Sequence, residues 1–175
     1  MPQLRDVLID RPRVLFVGIN PSLRSAQLGH HFAGRGNPFW RLLSAARIVP
    51  EPLTYEDDQK LVRYGLALTN LCSRATRSAS ELQRDEIQRG KAKLLRKIAR
   101  VRPMVVAFVG ATIYRYFADS PAEYGVGPKR QIIKGARIFV LPNPSGLNAN
   151  FPGFKDKLVW FEQLREFAHL PSIDR

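Results

Sequence analysis

Four short apolar runs punctuate the chain without alternating: residues 14–19 (VLFVGI), 65–71 (GLALTNL), 104–109 (MVVAFV) and 137–141 (RIFVL). Runs of this length, with many β-branched side chains, are the signature of strands covered on both faces. Between them the apolar positions recur with a helical period. The pattern predicts helices over 37–48, with Pro38 in the first turn, and over 55–64, 111–118 and 154–168. A longer helix is predicted from about Ser80 to Val101, with Ile87, Leu94, Ile98 and Val101 on one face, Ser80 as its cap and Pro103 as its stop. The segment 120–135, rich in Gly, Pro and charge, reads as a loop or a short edge hairpin.

Strands that alternate with helices predict an α/β fold, a three-layer αβα sandwich around a mainly parallel sheet. The 175 residues predict one domain over 1–175. In such sheets ligands bind at the carboxyl ends of the strands, so the segments that follow each run carry the candidate chemistry. They are Asn20-Pro21-Ser22-Leu23-Arg24-Ser25, Ser73-Arg74-Ala75-Thr76-Arg77-Ser78, Gly110-Ala111-Thr112 and Pro142-Asn143-Pro144-Ser145-Gly146-Leu147-Asn148. All four are small, polar or basic, and each holds a Ser or Thr. Such loops suit phosphates, because small residues let backbone N–H groups approach, hydroxyls donate and arginines neutralise.

Charge sharpens that expectation. Lys and Arg number 28 against 15 Asp and Glu, a net charge of +13, which points to a polyanionic partner. No basic amphipathic helix with a bulky aromatic face argues for a membrane surface. No apolar run approaches the ~20 residues of a bilayer span, and the first residues do not read as a secretory signal. A soluble, cytoplasmic protein is expected.

Several chemistries find no residues. There is no GxxxxGK[ST] phosphate loop, no GxGxxG after the first run, no HExxH and no GxSxG elbow. One cysteine cannot build a thiolate cage, and the three histidines have no metal-ligand spacing, so neither metal nor cofactor is expected. Cys72 reads as a buried, inert thiol.

Gly18-Ile19-Asn20-Pro21-Ser22 after the first run and Asn143-Pro144-Ser145-Gly146-Leu147-Asn148 after the last resemble the two signature motifs of the mismatch-specific uracil/thymine-DNA glycosylases. The stretch between is also similar, at His31-Phe32-Ala33, Asn37-Pro38-Phe39-Trp40 and Gly65-Leu66-Ala67-Leu68-Thr69-Asn70-Leu71. The resemblance runs over roughly residues 14–167. It implies a central four-stranded parallel sheet between helices and hydrolysis of the bond between an aberrant base and deoxyribose in duplex DNA. The implied partner is double-stranded DNA with a G:U or G:T mismatch, acted on by a monomer without a cofactor in base excision repair, close to the nucleoid.

The residues are compatible with that chemistry. An enzyme acting on a base must extrude it from the stack. Phe32 matches the family's stacking residue, and Leu147, apolar in a polar loop, fits a wedge for the vacated space. Gly146 lets the main chain approach the widowed guanine, as the family's loop does. By resemblance Asn20 positions the attacking water, while the Ile19 N–H region and Asn70 donate to the departing base anion. An amide is no general base, so catalysis would rest on geometry and anion stabilisation. Asp85 is a supplementary catalytic candidate, with Glu86 beside it. Ser22, Asn143 and Ser145, with Arg24, Arg74 and Arg77, are candidate DNA contacts. The basic run Lys91, Lys93, Arg96, Lys97, Arg100, Arg102 reads first as a solvated helix face. Two departures stand out: Asn70 and Ala149 occupy positions where some relatives carry basic residues. Two other readings stay open, a non-catalytic nucleic-acid-binding domain and, further off, a small-molecule nucleoside hydrolase or phosphotransferase.

Overall fold

The computed structural model describes residues 3–145 and 150–170. Strand alternation decides its layers. Every residue of β1 (Val14–Gly18) is buried, and successive side chains leave the sheet on opposite faces. Val14 and Phe16 join Leu66, Leu68, Val105, Ala107 and Phe139 in one core, which α2 (Phe39–Ala45), a 3₁₀ helix (Tyr55–Tyr64) and α5 (Phe154–Phe167) close. Leu15 and Val17 join Ala67, Val106, Phe108, Ile138 and Val140 in the other, closed by α3 (Arg84–Val101) and α4 (Ala111–Tyr114). Both faces are covered, which is why the runs did not alternate.

The sheet has five strands in the order β2-β1-β3-β5-β4. β1, β2 (Leu66–Asn70), β3 (Val105–Val109) and β5 (Ala136–Leu141) are parallel, while β4 (Gly127–Ile133) pairs antiparallel with β5 at the edge. The expected four-stranded sheet is therefore corrected to five mixed strands. The expected edge hairpin exists: Lys134 and Gly135 both take positive φ, the geometry of a tight two-residue connection. β4 opens on Gly-Pro and alternates exposed with half-buried positions, and Pro128 is tolerated because the strand lies at the edge. A one-face-solvated edge strand leaves no apolar run to read.

Helix boundaries also move. Ser80 does not cap the long helix. Ser78 caps a short 3₁₀ turn at Ala79–Glu81, and α3 starts at Arg84, where Glu86 Oε1 accepts the Gln83 N–H at 2.8 Å. α4 ends at Tyr114, four residues short of the expectation, and Pro38 stands just before α2. A helix missed in the sequence, α1 (Leu23–Leu28), follows the first motif, capped by the Ser22 hydroxyl. Six residues are too few to show a period. Gly90 sets how closely α3 approaches β2, because a Cβ there would collide with the Leu71 carbonyl.

Candidate active site

β1 sits between β2 and β3, and the chain crosses it between β2 and β3. That is a topological switch point, where the loops at the strand ends part and leave a crevice. A cleft of about 280 Å³ opens there, at the small end of ligand-binding cavities. Its walls come from all four parallel strands: 18–22 after β1, Asn70 ending β2, Val109 ending β3, and Asn143 and Ser145 after β5. Gly18 is its floor. A Cβ there would stand 2.5 Å from Asn70 Oδ1 and in ordinary contact, 3.5 Å, with Phe32 Cζ, so glycine lets Asn70 keep its place.

Asn20 is held by the segment after β2. Its Nδ2 donates to the Arg74 carbonyl at 2.9 Å and to Thr76 Oγ1 at 2.7 Å. A carbonyl only accepts, so the amide orientation is fixed: both N–H bonds are spent and Oδ1 remains as the open acceptor. No buried side-chain nitrogen or oxygen lacks a partner among the described residues, so the unpartnered Oδ1 is accessible rather than entombed. The buried Thr76 hydroxyl in turn donates to the Ser78 carbonyl at 2.8 Å, and Thr76 N–H donates to the Pro21 carbonyl. Thr76 was missed as a site residue; the hydroxyl in the loop after β2 was the available signal.

Phe32 takes a left-handed backbone, φ 51°, which costs a bulky L-residue of order 1 kcal/mol and persists only where neighbours enforce it. They do. The His31 N–H donates to Asp58 Oδ2 at 3.0 Å, and the His31 carbonyl accepts from Trp40 Nε1 at 3.1 Å. On the other side the Ala33 N–H donates to Ser25 Oγ, and its carbonyl accepts from Arg24 Nε. The ring lies parallel to Phe39, centroids 4.0 Å apart, and Phe39 is wedged edge-on against Phe16 and Trp40. One face of Phe32 is thus backed by the core, while the ring lines the cleft.

His31 is buried at the cleft wall, and burial keeps its imidazole below the usual value, against the upward pull of the Arg5 carbonyl and Asp58. Nε2 lies 2.8 Å from that carbonyl, so it carries the proton and Nδ1 keeps the lone pair.

The other expected residues divide. Ile19, Asn70, Ser22, Asn143 and Ser145 all line the cleft. Ser22 Oγ is occupied as a helix cap, accepting from Ser25 N and donating to Ser25 Oγ. Asn143 Oδ1 accepts the Ser145 N–H, which fixes the loop after β5. Arg74 is not left for phosphates: its guanidinium forms a two-pronged pair with Glu86 at 2.7 and 3.1 Å and donates to the Glu81 carbonyl. That pair pulls the Glu86 carboxyl down to about 2, helped by the Gln83 N–H. Arg74 is better described as the clamp of the loop whose carbonyl orients Asn20. Arg24 Nε is likewise committed to the Ala33 carbonyl, whereas the Arg77 side chain is exposed. Asp85 does not reach the cleft. It is exposed, pairs with Arg89 one turn along α3 at 2.8 Å, and that partner holds its carboxyl low. Gly146 and Leu147 lie outside the described residues. Arg35, exposed on the cleft rim, was missed within the Gly-Arg-Gly turn.

Cys72 is buried, and burial with the nearby Glu86 charge pushes its thiol up to about 11, so it stays protonated. No group of three His, Cys, Asp or Glu stands together among the described residues.

A proposed uracil DNA glycosylase from Methanosarcina acetivorans, solved in solution by NMR, has a similar fold. The TM-score is 0.62 at 22% identity, covering 94% of this chain and 98% of that one. The family model described as the Uracil DNA glycosylase superfamily matches residues 6–165. Nearly the whole chain falls within that match, and the protein belongs to the uracil DNA glycosylase superfamily.

Proposed function

We propose that the protein is a monofunctional DNA glycosylase that releases uracil opposite guanine from duplex DNA, with thymine opposite guanine as the next candidate. The observation that carries the reading is that the fixed Asn20 amide lines one small cleft together with an aromatic ring stacked on the core. A nucleotide flipped from the stack brings a flat base and a sugar, and these two groups suit the two halves.

In this reading the base lies on Phe32 and C1′ stands near Asn20. Oδ1 accepts a hydrogen bond from a water and aims the water's oxygen at C1′. As the C–O bond forms, the C1′–N1 bond breaks and its electron pair leaves with the base. The water's proton passes to solvent or to the base, since a neutral amide does not hold it. In the same reading Asn70, which lines the cleft, donates through its Nδ2 to the base anion. Holding water and sugar in register can supply several kcal/mol of the barrier, and donors toward the anion add to it. The cationic surface supplies attraction to DNA, as membership in this superfamily leads one to expect.

Preference for a guanine mispair rests on the resemblance of Gly146 and Leu147 to a wedge loop and on the lower flipping cost at a mismatch. The test is single-turnover base release from duplexes with uracil opposite guanine, opposite adenine, or in a single strand, with EDTA present. Release favouring the guanine mispair supports the proposal. Equal release from all three removes the mismatch preference, and no release from any removes the glycosylase reading.

A further inference from the structure

The basic run on α3 separates, in three dimensions, into spent and unspent charges. Lys97 folds back, its Nζ 2.6 Å from Asp6 Oδ2 and 2.9 Å from Thr69 Oγ1. Lys91 lies over the Phe117 ring. Arg89, Lys93, Arg96 and Arg100 are exposed and fall at i, i+4, i+7 and i+11, so they form one line opposite the buried Ile87, Leu94 and Ile98, with Arg89 paired to Asp85 and the other three unspent. With ~1.5 Å of rise per residue, the line is about 16 Å long. No acid follows Glu86 on the helix.

The line starts at the site. A second cleft of about 480 Å³ is lined by Arg5, Arg89 and Lys93 together with Asp6 and Glu86, the acids already paired with Lys97 and Arg74, and shares Leu4, Pro21 and Asn70 with the base cleft. Asn70 is therefore a partition between the two. α3 links the end of β2 to the start of the parallel β3, so it runs away from the strand ends down the side of the molecule.

Resting on the reading that the first cleft takes a flipped nucleotide, we propose that Lys93, Arg96 and Arg100 bind the phosphates of a single DNA strand that leaves the base cleft past Asn70 and follows α3. The line is one cation wide: Gln88, Ala92 and Ala99 border it on one side and the folded-back Lys97 on the other. A duplex across the strand ends would have to turn through about a right angle to follow it, at a bending cost of several kcal/mol. A single strand turns without that penalty, and cations 4.5–6 Å apart along the axis (about 1.5 Å per residue) come near the spacing of its phosphates. The protein would thus favour target bases beside frayed or single-stranded ends.

The experiment compares three DNAs by fluorescence anisotropy. Each holds an abasic-site analogue opposite guanine a few base pairs from one end. One is blunt, one carries a six-nucleotide 5′ overhang and one a six-nucleotide 3′ overhang at that end. One overhang polarity should bind about tenfold more tightly than the blunt duplex at low salt, with a slope of log K against log salt steeper by about 2. The triple variant K93Q/R96Q/R100Q, all exposed positions, should melt like the wild type and lose that advantage. Equal binding of all three DNAs by the wild type would overturn the proposal. So would a triple variant weakened equally on blunt and overhanging DNA, which would assign the cations to duplex. Binding is read separately from base release. An overhang effect without release from any substrate removes the glycosylase reading alone, while release without an overhang effect removes the strand path alone.

Discussion

The Asn20 carboxamide is aimed by Thr76: Nδ2 donates to Thr76 Oγ1 across 2.7 Å, and that hydroxyl donates its own hydrogen bond to the Ser78 carbonyl. The hydroxyl is thus oriented as an acceptor before any substrate arrives. The loop after β2 fixes an amide carried by the loop after β1, which is what a mechanism without a general base requires.

Thr76→Val keeps the side-chain shape and removes the acceptor. One Asn20 N–H is then unpaired and the amide is free to turn, so single-turnover base release should fall by about tenfold, from the ~1–3 kcal/mol cost of an unmet donor. Thr76→Ser should keep most of the rate. DNA affinity should not change in either. Asn20→Ala should lose ~10²-fold or more with binding intact, the scale expected for lost positioning. A Thr76→Val enzyme as fast as wild type would leave Arg74 as the sole orienting contact.

Gly18→Ala places a methyl 2.5 Å from Asn70 Oδ1 and 3.5 Å from Phe32. The fold should persist, since Asn70 can shift, but the cleft floor rises into the space of the base. Base release should drop steeply while binding of undamaged duplex stays. The double variant Gly18→Ala/Asn70→Ala clears the collision and should recover cleft volume, read as tighter binding of a free base analogue than by Gly18→Ala alone. No difference between the two would mean that residue 18 does not border the base.

Phe32→Ala removes the stacking face but leaves Phe39 one ring lower, packed against Phe16 and Trp40. Stacking of one base is worth ~1–3 kcal/mol, so affinity for flipped-base DNA should weaken by roughly 5- to 150-fold. Phe32→Tyr should be close to neutral. Unchanged affinity in the alanine variant would return Phe32 to a core role.

Acidification should weaken the fold in two stages. Burial holds the folded His31 pKa below 6.5, so the unfolded chain takes up a proton that the folded protein refuses. Stability is full above about 6.5 and declines as pH falls below it, by up to ~1.4 kcal/mol per pH unit. Glu86 is held at about 2 by Arg74, below the ordinary 4.5. Its contribution is full above 4.5 and is lost as pH falls toward 2. The Tm gap between wild type and Glu86→Gln should therefore be constant from pH 8 to pH 5 and close below that. A gap that persists undiminished to the lowest measurable pH would show that the Arg74–Glu86 pair does not clamp the loop.

Much of this was legible in the chain. The buried runs marked the parallel strands within a residue or two, because a strand covered on both faces has to be apolar at every position. The carboxyl ends of those runs, with the segments after the first and the last of them, delivered much of the cleft lining, because parallel strands end on one edge; His31, Phe32 and the Gly34-Arg35-Gly36-Asn37 turn supply much of the rest. α1 was not legible because it is short, and β4 was legible only as one of two alternatives for 120–135, a loop or a short edge hairpin, because an edge strand needs only one apolar face. Asp85 failed as a candidate for a geometric reason: at the start of α3 it points to solvent and Arg89, and only its neighbour Glu86 turns toward the loop.

By itself the sequence placed Ile19, Asn20, Ser22, Phe32, Asn70, Asn143 and Ser145 at the cleft, since parallel strands bring the segments that follow them to one edge. What each side chain has to spare was decided only in three dimensions. Arg74 and Arg77 are indistinguishable as letters, yet one is consumed by Glu86 and the other is exposed. Lys93 and Lys97 sit one turn apart on the same helix, yet Asp6 claims only the second. Asn20 became a directed acceptor because the Arg74 carbonyl and the Thr76 hydroxyl, 54 and 56 positions away, took its two donors. Hydrogen bonds and ion pairs form between groups that the packed sheet brings within about 3 Å, and no local pattern records which partner gets there first.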